Sequence, residues 1–192
     1  MKVNKKAFFI FFNIILLFSA DQLTKYFASK NILPGQIVFE YLGFGLTYAK
    51  NYGLVFGIGE ELGFIRLFSN AIQIFLIPIG ILFFKYYVSN YRKSLIAEWT
   101  FILFFSANIG NLTDSLYLGY VRDFIIWPGP GIPNLADVYA NLGIMFLIIE
   151  VIANPQINTK EFFGLQKSLQ KNNIQSFSSF IKDEAAKLFK KN

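Results

Sequence analysis

The sequence predicts an α-helical membrane protein with four transmembrane helices and a small extracytoplasmic β-sheet between the first two. Of the 192 residues, 54% are hydrophobic and only 16% are charged, which is too apolar for a surface that faces water. Four apolar stretches approach the roughly 20 residues needed to cross a bilayer core. The segment between the first two stretches is rich in glycine, aromatic and β-branched residues, which favours short strands.

The four predicted spans follow the apolar stretches in order. They run from about residue 7 to 27, from 65 to 88, from 95 to 112 and from 137 to 153. Lysines precede the first stretch, and its apolar residues run up to a Ser-Ala pair. This order resembles a cleavable signal peptide. However, Phe18 stands where a cleavage site needs a small residue, and apolar residues resume after Asp21. We therefore predict that the first stretch is a retained span.

The lysine and arginine residues predict the orientation of the spans. Thirteen of the 18 lie before the first span, between the second and third, or after the fourth, and five lie in or near the other two connections. Because positive residues are retained on the cytoplasmic side, we expect both termini in the cytoplasm and two loops outside.

The outer segment at about residues 31–62 is predicted to form the small sheet at the membrane surface. Pro34-Gly35 marks a turn, and the stretch IVFEYLGFGLTYA is rich in β-branched and aromatic residues. Glycines punctuate this segment, which favours bent strands or close approach of the backbone to a ligand.

A membrane domain of residues 1–154 is predicted to be followed by a polar, basic tail of residues 155–192. Apolar residues in the tail recur near helical spacing, at Ile174, Phe177, Phe180, Ile181 and Leu188. Two interpretations stay open: an amphipathic helix on the anionic inner leaflet, or a solvated and partly disordered tail.

The absence of cysteine and histidine from the chain narrows the possible chemistry. It excludes a thiol nucleophile, a Ser-His-Asp catalyst and any thiolate or histidine-rich metal site. We expect no metal and no cofactor. The net charge of +6 follows the positive-inside pattern, so we predict no nucleic-acid partner.

Polar side chains from four separate elements are predicted to meet at one depth on the outer side. They come from the outer ends of the first and third spans, the loop after the third span, and the start of the fourth: Asp21, Lys25, Asn108, Asn111, Asp114, Asp123, Asn134 and Asp137. Asn108, Asn111 and Asp114 recur at every third residue, so we expect them on one helix face. A carboxylate at membrane depth is costly and usually functional.

Most of these residues also have a structural interpretation. Asp21 and Lys25, at i and i+4, are expected to support the fold as an ion pair. Asp137 could be the N-cap of the fourth span. Glu98 and Glu150 lie near cytoplasmic helix ends and are expected to extend outward to water.

Asp123 and Asp137 are separated by the Pro/Gly-rich residues 127–133. Spacing alone favours a catalytic role and a structural role for these two aspartates equally. Two nearby carboxylates share a proton and can activate water while protonating a leaving group. A small proton-coupled membrane transporter is the alternative function, and a non-catalytic membrane scaffold is a third. A transporter favours polar groups along a path through the bilayer, whereas these cluster at the outer side.

Four blocks of the sequence resemble the prolipoprotein signal peptidases, also called signal peptidase II. The blocks occur in the family's order: DQLTK at 21–25, LTYAKNYGLVFGI at 46–58, GNLTDSLYLGYVRDFI at 110–125 and PNLADVYANLGI at 133–144. The resemblance implies a bacterial inner-membrane aspartic endopeptidase with four spans and cytoplasmic termini. Such enzymes cut lipoprotein precursors just before the cysteine that carries diacylglycerol. The implied partners are diacylglyceryl-prolipoproteins and membrane lipid, and we expect a monomer.

The resemblance also assigns roles to individual residues. By position, Asp123 and Asp137 match the family's catalytic pair. The family's supporting polar residues are matched by Asp21, Lys25, Asn51, Asn111, Asp114 and Asn134. The sheet around Asn51 and Gly53 is expected to clamp the substrate.

The loop between Asp123 and Asp137 is shorter than in many members of the family, and Pro133 stands where an aromatic residue usually precedes Asn134.

The chain departs from the family pattern at two other places. Ser115 stands where the family usually has arginine after the aspartate of its GN-x-x-D block, so an ion pair of Asp114 is expected to be missing. Arg122 is the candidate replacement, although a residue next to the catalytic position points in a different direction. Leu54 and Val55 stand where the family often has small residues, which is expected to narrow the fit to substrate.

Overall fold

The computed structural model describes residues 5–53, 64–91, 94–154 and 177–189. Within them, four helices are long and apolar enough to cross a membrane: α1 (Lys5–Asn31), α2 (Ile65–Asn90), α3 (Leu95–Leu118) and α4 (Leu135–Ala153). The other elements are β1 (Phe39–Tyr41), β2 (Phe44–Asn51), β3 (Val121–Ile126) and a short helix α5 (Phe177–Phe189). The predicted class of four spans with a small sheet is confirmed.

The helices α1 and α3 extend past the predicted ends of their spans. Prediction from hydropathy stops near charged residues, yet α1 continues to Asn31 and α3 to Leu118. Asp114, in the extra turns of α3, and Lys25, near the predicted end of the first span, have side chains that are fully buried in the protein. Because their charges are paired inside the bundle, the helices continue through them.

The third helix is the central element of the bundle. Of an apolar 18-residue segment in each helix, 44% is buried in α3, compared with 6% in α1, 6% in α2 and 22% in α4. Small residues on α3, among them Ser106, Ala107 and Gly110, are buried and allow neighbouring backbones to approach. The outward faces carry exposed apolar side chains such as Phe11 and Phe75, as lipid contact requires.

The sheet joins the segment between α1 and α2 to the segment between α3 and α4 at one end of the bundle. Its strands are antiparallel in the order β1-β2-β3. The strand β3 follows α3 through Gly119, which caps the helix in the left-handed conformation (φ 80°) that glycine adopts at low cost. The sequence predicted a loop at β3, so the third strand is a correction to a sheet expected only between the first two spans.

Two glutamates at the opposite end of the bundle are buried, which makes the expectation that they extend outward wrong. Glu150 of α4 accepts hydrogen bonds from the hydroxyls of Tyr87 and Ser94. Glu98 of α3 pairs with Lys6 of α1 at 2.7 Å. Neighbouring helix ends supply donors inside the protein, and buried carboxylates are retained only where such partners exist.

The helix α5 packs against the end of α2 that lies away from the sheet. The rings of Phe177 and Phe180 contact the ring of Tyr86, with centroids 5.1 and 5.5 Å apart. Lys85 of α2 pairs with Glu184 of α5. This part of the tail is therefore helical, while its predicted contact with an anionic leaflet stays a prediction. The other tail residues lie outside the described part of the chain.

Candidate active site

The loop after β3 folds back and places the start of α4 beside this strand. The backbone N–H groups of Phe124 and Ile125 both donate to the carbonyl of Pro133, at 3.1 and 2.9 Å. This closes a loop that separates Asp123 from Asn134 by only ten residues. As a result, the two predicted catalytic aspartates come from elements that meet at one point.

Asn134 contacts both of these aspartates. Its side-chain N–H donates to Asp123 Oδ1 at 2.6 Å. Its backbone N–H donates to Asp137 Oδ2 at 2.9 Å, and its side-chain oxygen accepts from the Asp137 N–H at 3.2 Å. These reciprocal bonds form a capping box in which Asn134 is the N-cap. Asp137 is therefore the third residue of α4 rather than its cap.

Asn111 of α3 adds hydrogen bonds to Asp137 and to Asn134. Its amide N–H donates to Asp137 Oδ1 at 3.0 Å. Its amide oxygen accepts from Lys25 Nζ at 2.8 Å and from the Asn134 amide at 3.1 Å. Because an ammonium group can only donate, Lys25 fixes the orientation of the Asn111 amide and points its N–H toward Asp137.

Asp21 and Lys25 form an ion pair inside the bundle, as predicted, and also reach α4. Both side chains are completely buried, with Lys25 Nζ 2.9 Å from Asp21 Oδ2. Asp21 Oδ1 accepts from the backbone N–H of Ala136 at 2.9 Å. An anion is favoured at the N-terminal end of a helix, so Asp21 fixes the start of α4 near Asp123 and Asp137.

Asp114 pairs with Arg122, the candidate replacement for the arginine that is absent at position 115. Arg122 Nη2 lies 2.7 Å from Asp114 Oδ1, and Arg122 Nε lies 3.0 Å from Oδ2. The backbone N–H of Arg122 donates to the same Oδ2 at 3.0 Å. The Ser115 hydroxyl instead donates to Asn70 Oδ1 of α2 at 2.6 Å, so position 115 joins α3 to α2.

Asn51, at the end of β2, contacts Asp123 on β3, and its supporting role stays a prediction. Its amide N–H donates to Asp123 Oδ2 at 3.0 Å, and its amide oxygen accepts from the Gly53 N–H at 3.0 Å. Gly53 therefore holds the Asn51 amide in place. Leu54 and Val55 lie outside the described residues.

Asn108 does not share a face with Asn111 and Asp114, so the prediction of one polar face is wrong. Its amide donates to the carbonyl of Gln73 on α2 at 3.3 Å, whereas Asn111 and Asp114 contact α1, β3 and α4. Three residues turn an α-helix by about 300°. A side chain three positions further along the helix therefore lies about 60° away around the axis. Asn108 and Asp114, six positions apart, point about 120° apart around α3.

Gln22 is a member of the site that the sequence analysis missed. Its amide N–H donates to Asp21 Oδ2 at 3.1 Å and to the Gly110 carbonyl at 3.2 Å. Its amide oxygen accepts from Arg122 Nη2 at 3.0 Å. Its position inside the DQLTK block was the available signal, since a polar residue beside Asp21 lies at the same depth.

Burial raises the pKa of Asp123, which lies outside the spanning helices, to about 7. The hydrogen bonds from Asn134 and Asn51 favour the ionised form and lower this pKa, while the charge of Asp137 raises it. A carboxyl group with a pKa near neutrality can both accept and donate a proton. The site can therefore perform acid–base chemistry at physiological pH.

The fold and the site define a multi-pass membrane protein with a buried carboxylate pair at one end of a four-helix bundle. Two solved structures, both described as bacterial membrane enzymes studied by the in meso method, share this fold. The first has a TM-score of 0.63 at 20% identity and covers 88% of this chain and 97% of that one. The second has a TM-score of 0.61 at 23% identity and covers 79% and 95%.

Sequence relatives identify the family within that class. A model of the family described as signal peptidase (SPase) II matches residues 13–153. The lipoprotein signal peptidase of Fusobacterium nucleatum is 32% identical over 79% of this chain and 90% of the relative. That of Borreliella burgdorferi is 32% identical over 82% and 98%, and that of Streptococcus thermophilus is 34% identical over 71% and 87%.

The chain belongs to the signal peptidase II family. It is a membrane signal peptidase, and its four apolar helices make it a multi-pass protein of the bacterial inner membrane. This identity favours the predicted peptidase over the transporter and the scaffold.

Proposed function

We propose that this peptidase is an aspartic endopeptidase that removes signal peptides from diacylglyceryl-modified prolipoproteins, cutting before the lipidated cysteine. The observation that carries the proposal is the contact of one buried asparagine, Asn134, with both Asp123 and Asp137. The substrate class is supported by the similarity to lipoprotein signal peptidases.

In the proposed mechanism the two carboxyl groups share one proton and hold a water between them. The ionised member takes a proton from this water as its oxygen attacks the scissile carbonyl carbon. The protonated member donates its proton to the carbonyl oxygen in the same step. When the tetrahedral intermediate collapses, the protonated member gives its proton to the leaving amine as the C–N bond breaks. The ionised member takes a proton from a hydroxyl of the intermediate, so the product carboxyl group forms and the pair again shares one proton.

The surrounding residues hold the pair in this state. A pKa of about 7 at Asp123 keeps a proton available at neutral pH, since the charge of Asp137 opposes a second ionisation. Asn134, Asn111 and Asn51 restrain the carboxylates through hydrogen bonds. One chain supplies all of these residues, which supports a monomeric enzyme.

The positive-inside distribution of lysine and arginine supports an active site at the outer face with both termini in the cytoplasm. The sheet then lies over the outer membrane boundary, where Asn51 and Gly53 clamp the peptide near the cleavage site. The exposed apolar faces of the helices accept the acyl chains and the signal helix.

The test is cleavage of a purified, diacylglyceryl-modified precursor by the variants Asp123→Asn and Asp137→Asn. Each is expected to lose activity by at least about 10⁴-fold, because an amide cannot exchange the required proton. Glu40→Gln is a matched control, since Glu40 is an exposed carboxylate on β1 of the same sheet, and it is expected to cleave at the parental rate. Turnover by either aspartate variant at equal protein levels contradicts the dyad.

A further inference from the structure

We infer that Arg122 is a positioning residue for the catalytic Asp123. From β3 it holds Asp114, while Ser115, next to Asp114 on α3, bonds to Asn70 of α2. This inference rests on the proposed aspartate pair. Arg122 touches neither Asp123 nor Asp137 through its side chain, so its effect on catalysis must pass through the strand and through Asp114.

Three hydrogen bonds hold Arg122 to one buried carboxylate. Its Nε, Nη2 and backbone N–H all donate to Asp114, at 3.0, 2.7 and 3.0 Å. The Asp114 side chain is 1% exposed and that of Arg122 is 12% exposed. A bidentate guanidinium–carboxylate pair fixes direction as well as distance. The backbone immediately before Asp123 is therefore anchored to α3.

Strand geometry converts this anchor into a position for the catalytic side chain. Successive residues of a strand point to opposite sides, so Asp123 leaves β3 on the side away from the Arg122 side chain. Asn134 and Asn51 hold Asp123 on that side. Because Arg122 fixes the opposite side of the same strand, movement of β3 toward or away from α4 is restrained.

The charges of the cluster give Arg122 a second effect. Lys25 Nζ lies 2.9 Å from Asp21 and 3.9 Å from Asp114, while it donates to Asn111 at 2.8 Å. With Arg122 present, two cations neutralise the two carboxylates. Without Arg122, Lys25 is drawn toward Asp114, and the Asn111 amide loses the donor that points its N–H toward Asp137.

Gln22 joins these two effects into one network. It accepts from Arg122 Nη2 at 3.0 Å and donates to Asp21 Oδ2 at 3.1 Å. Asp21 in turn accepts from the Ala136 N–H at the start of α4. Arg122 is thus connected through hydrogen bonds to the helix that carries Asp137 as well as to the strand that carries Asp123.

The test is a kinetic comparison of Arg122→Met and Arg122→Lys with the parent, using a purified diacylglyceryl-modified precursor. We expect Arg122→Met to lower kcat about 100-fold, the scale of a misplaced catalytic group. KM should change by less than about threefold, because no substrate contact is removed. The kcat of Arg122→Lys should be about tenfold higher than that of Arg122→Met, because lysine keeps the charge but lacks the bidentate geometry.

Lys50→Met is the matched control for loss of a positive charge on the sheet. Lys50 pairs with Arg122 in the β2–β3 register, is exposed, and lies over the ring of Tyr120 at 4.9 Å. Its kcat should stay within about twofold of the parent, as for an exposed charge. Parental kcat in folded Arg122→Met overturns the inference. Equal losses in the Met and Lys variants, with matching rises in KM, also overturn it.

If Arg122→Met does not fold, the double variant Arg122→Met/Asp114→Asn removes the buried charge that the single variant leaves unpaired. The inference expects this double variant to fold and to keep a low kcat, and a parental kcat overturns it. Asp123→Asn in the same assay separates the two proposals. If it cleaves, the aspartate pair is wrong, whereas an inactive Asp123→Asn beside a fully active Arg122→Met contradicts the positioning role alone.

Discussion

Asn134 contacts the two members of the proposed catalytic pair in different ways, one through its side chain and one through its backbone. The side chain reaches Asp123 on β3, and the backbone N–H reaches Asp137 on α4. The same residue therefore caps a helix and sets the separation of two carboxylates. Motif resemblance predicted Asn134 as a support, but its double contact depends on the fold of the 127–133 loop.

The pH dependence of cleavage follows from the state of Asp123. Its pKa of about 7 means that the pair loses its last proton as the pH rises through neutrality. We therefore expect kcat to fall on the alkaline side of about pH 7. In Asn51→Ala this limb should move to higher pH, because the removed hydrogen bond favours the ionised form of Asp123 and lowers its pKa.

The measurement for this prediction is kcat against pH for the parent and Asn51→Ala. Gln36→Ala is the control, because Gln36 donates and accepts only within its own turn in the described contacts. Its profile should match that of the parent. A limb that moves to lower pH in Asn51→Ala would contradict the role of this hydrogen bond.

At the scale of elements, the crossing of α1 and α3 depends on Gly110. A Cβ at this position would lie 2.6 Å from Asp21 Oδ2 and 3.4 Å from the Cβ of Ala136. Asp21 cannot move aside at low cost, because Lys25 and the Ala136 N–H hold its carboxylate. The glycine therefore permits the ion pair that anchors the start of α4.

Gly110→Ala is expected to lower activity by about 10- to 100-fold by displacing this carboxylate. Its free energy of unfolding should fall by about 1–3 kcal/mol from overpacking. Gly80→Ala in α2 is the matched control, since a Cβ there meets nothing within 4 Å. It should be neutral or stabilise the helix by up to about 1 kcal/mol. Thermal unfolding and cleavage rates check both, and equal behaviour of the two variants would contradict the argument.

The strand β3 shows why one element escaped prediction. Its sequence VRDFII places two charged residues inside a short strand, a pattern that local propensity does not favour. Arg122 and Asp123 are tolerated there because Asp114 on one side and Asn134 on the other provide partners. The strand depends on its pairing with β2 and on contacts with α3 and α4, which no local pattern contains.

At the scale of the whole molecule, the protein has polar clusters at both ends of an apolar bundle. The family match ends at residue 153, and α5 adds a packed helix at the end opposite the site. Tyr86 is 1% exposed and Phe180 is 7% exposed in this contact. The helix α5 therefore contributes to stability far from the proposed catalytic pair.

Removal of residues 160–192 is expected to lower the unfolding temperature by a few degrees and leave kcat unchanged. Phe180→Ala should reproduce part of this loss, because burial of such a side chain contributes about 1.5–3 kcal/mol. Ile181→Ala is the control, since Ile181 is 40% exposed and should have little effect. Unfolding in detergent and cleavage of the precursor are the measurements, and a lower kcat without loss of stability would contradict this separation.

The sequence by itself determined the four spans, because hydropathy is a local property that the bilayer selects directly. Resemblance to the family predicted Asp123, Asp137 and their supporting asparagines, and the structure brings these side chains together. Only the tertiary structure decided which partner each polar group takes: Arg122 for Asp114, Gln73 for Asn108 and Asn70 for Ser115. These pairs join segments far apart in the chain, and their distances depend on how the helices pack.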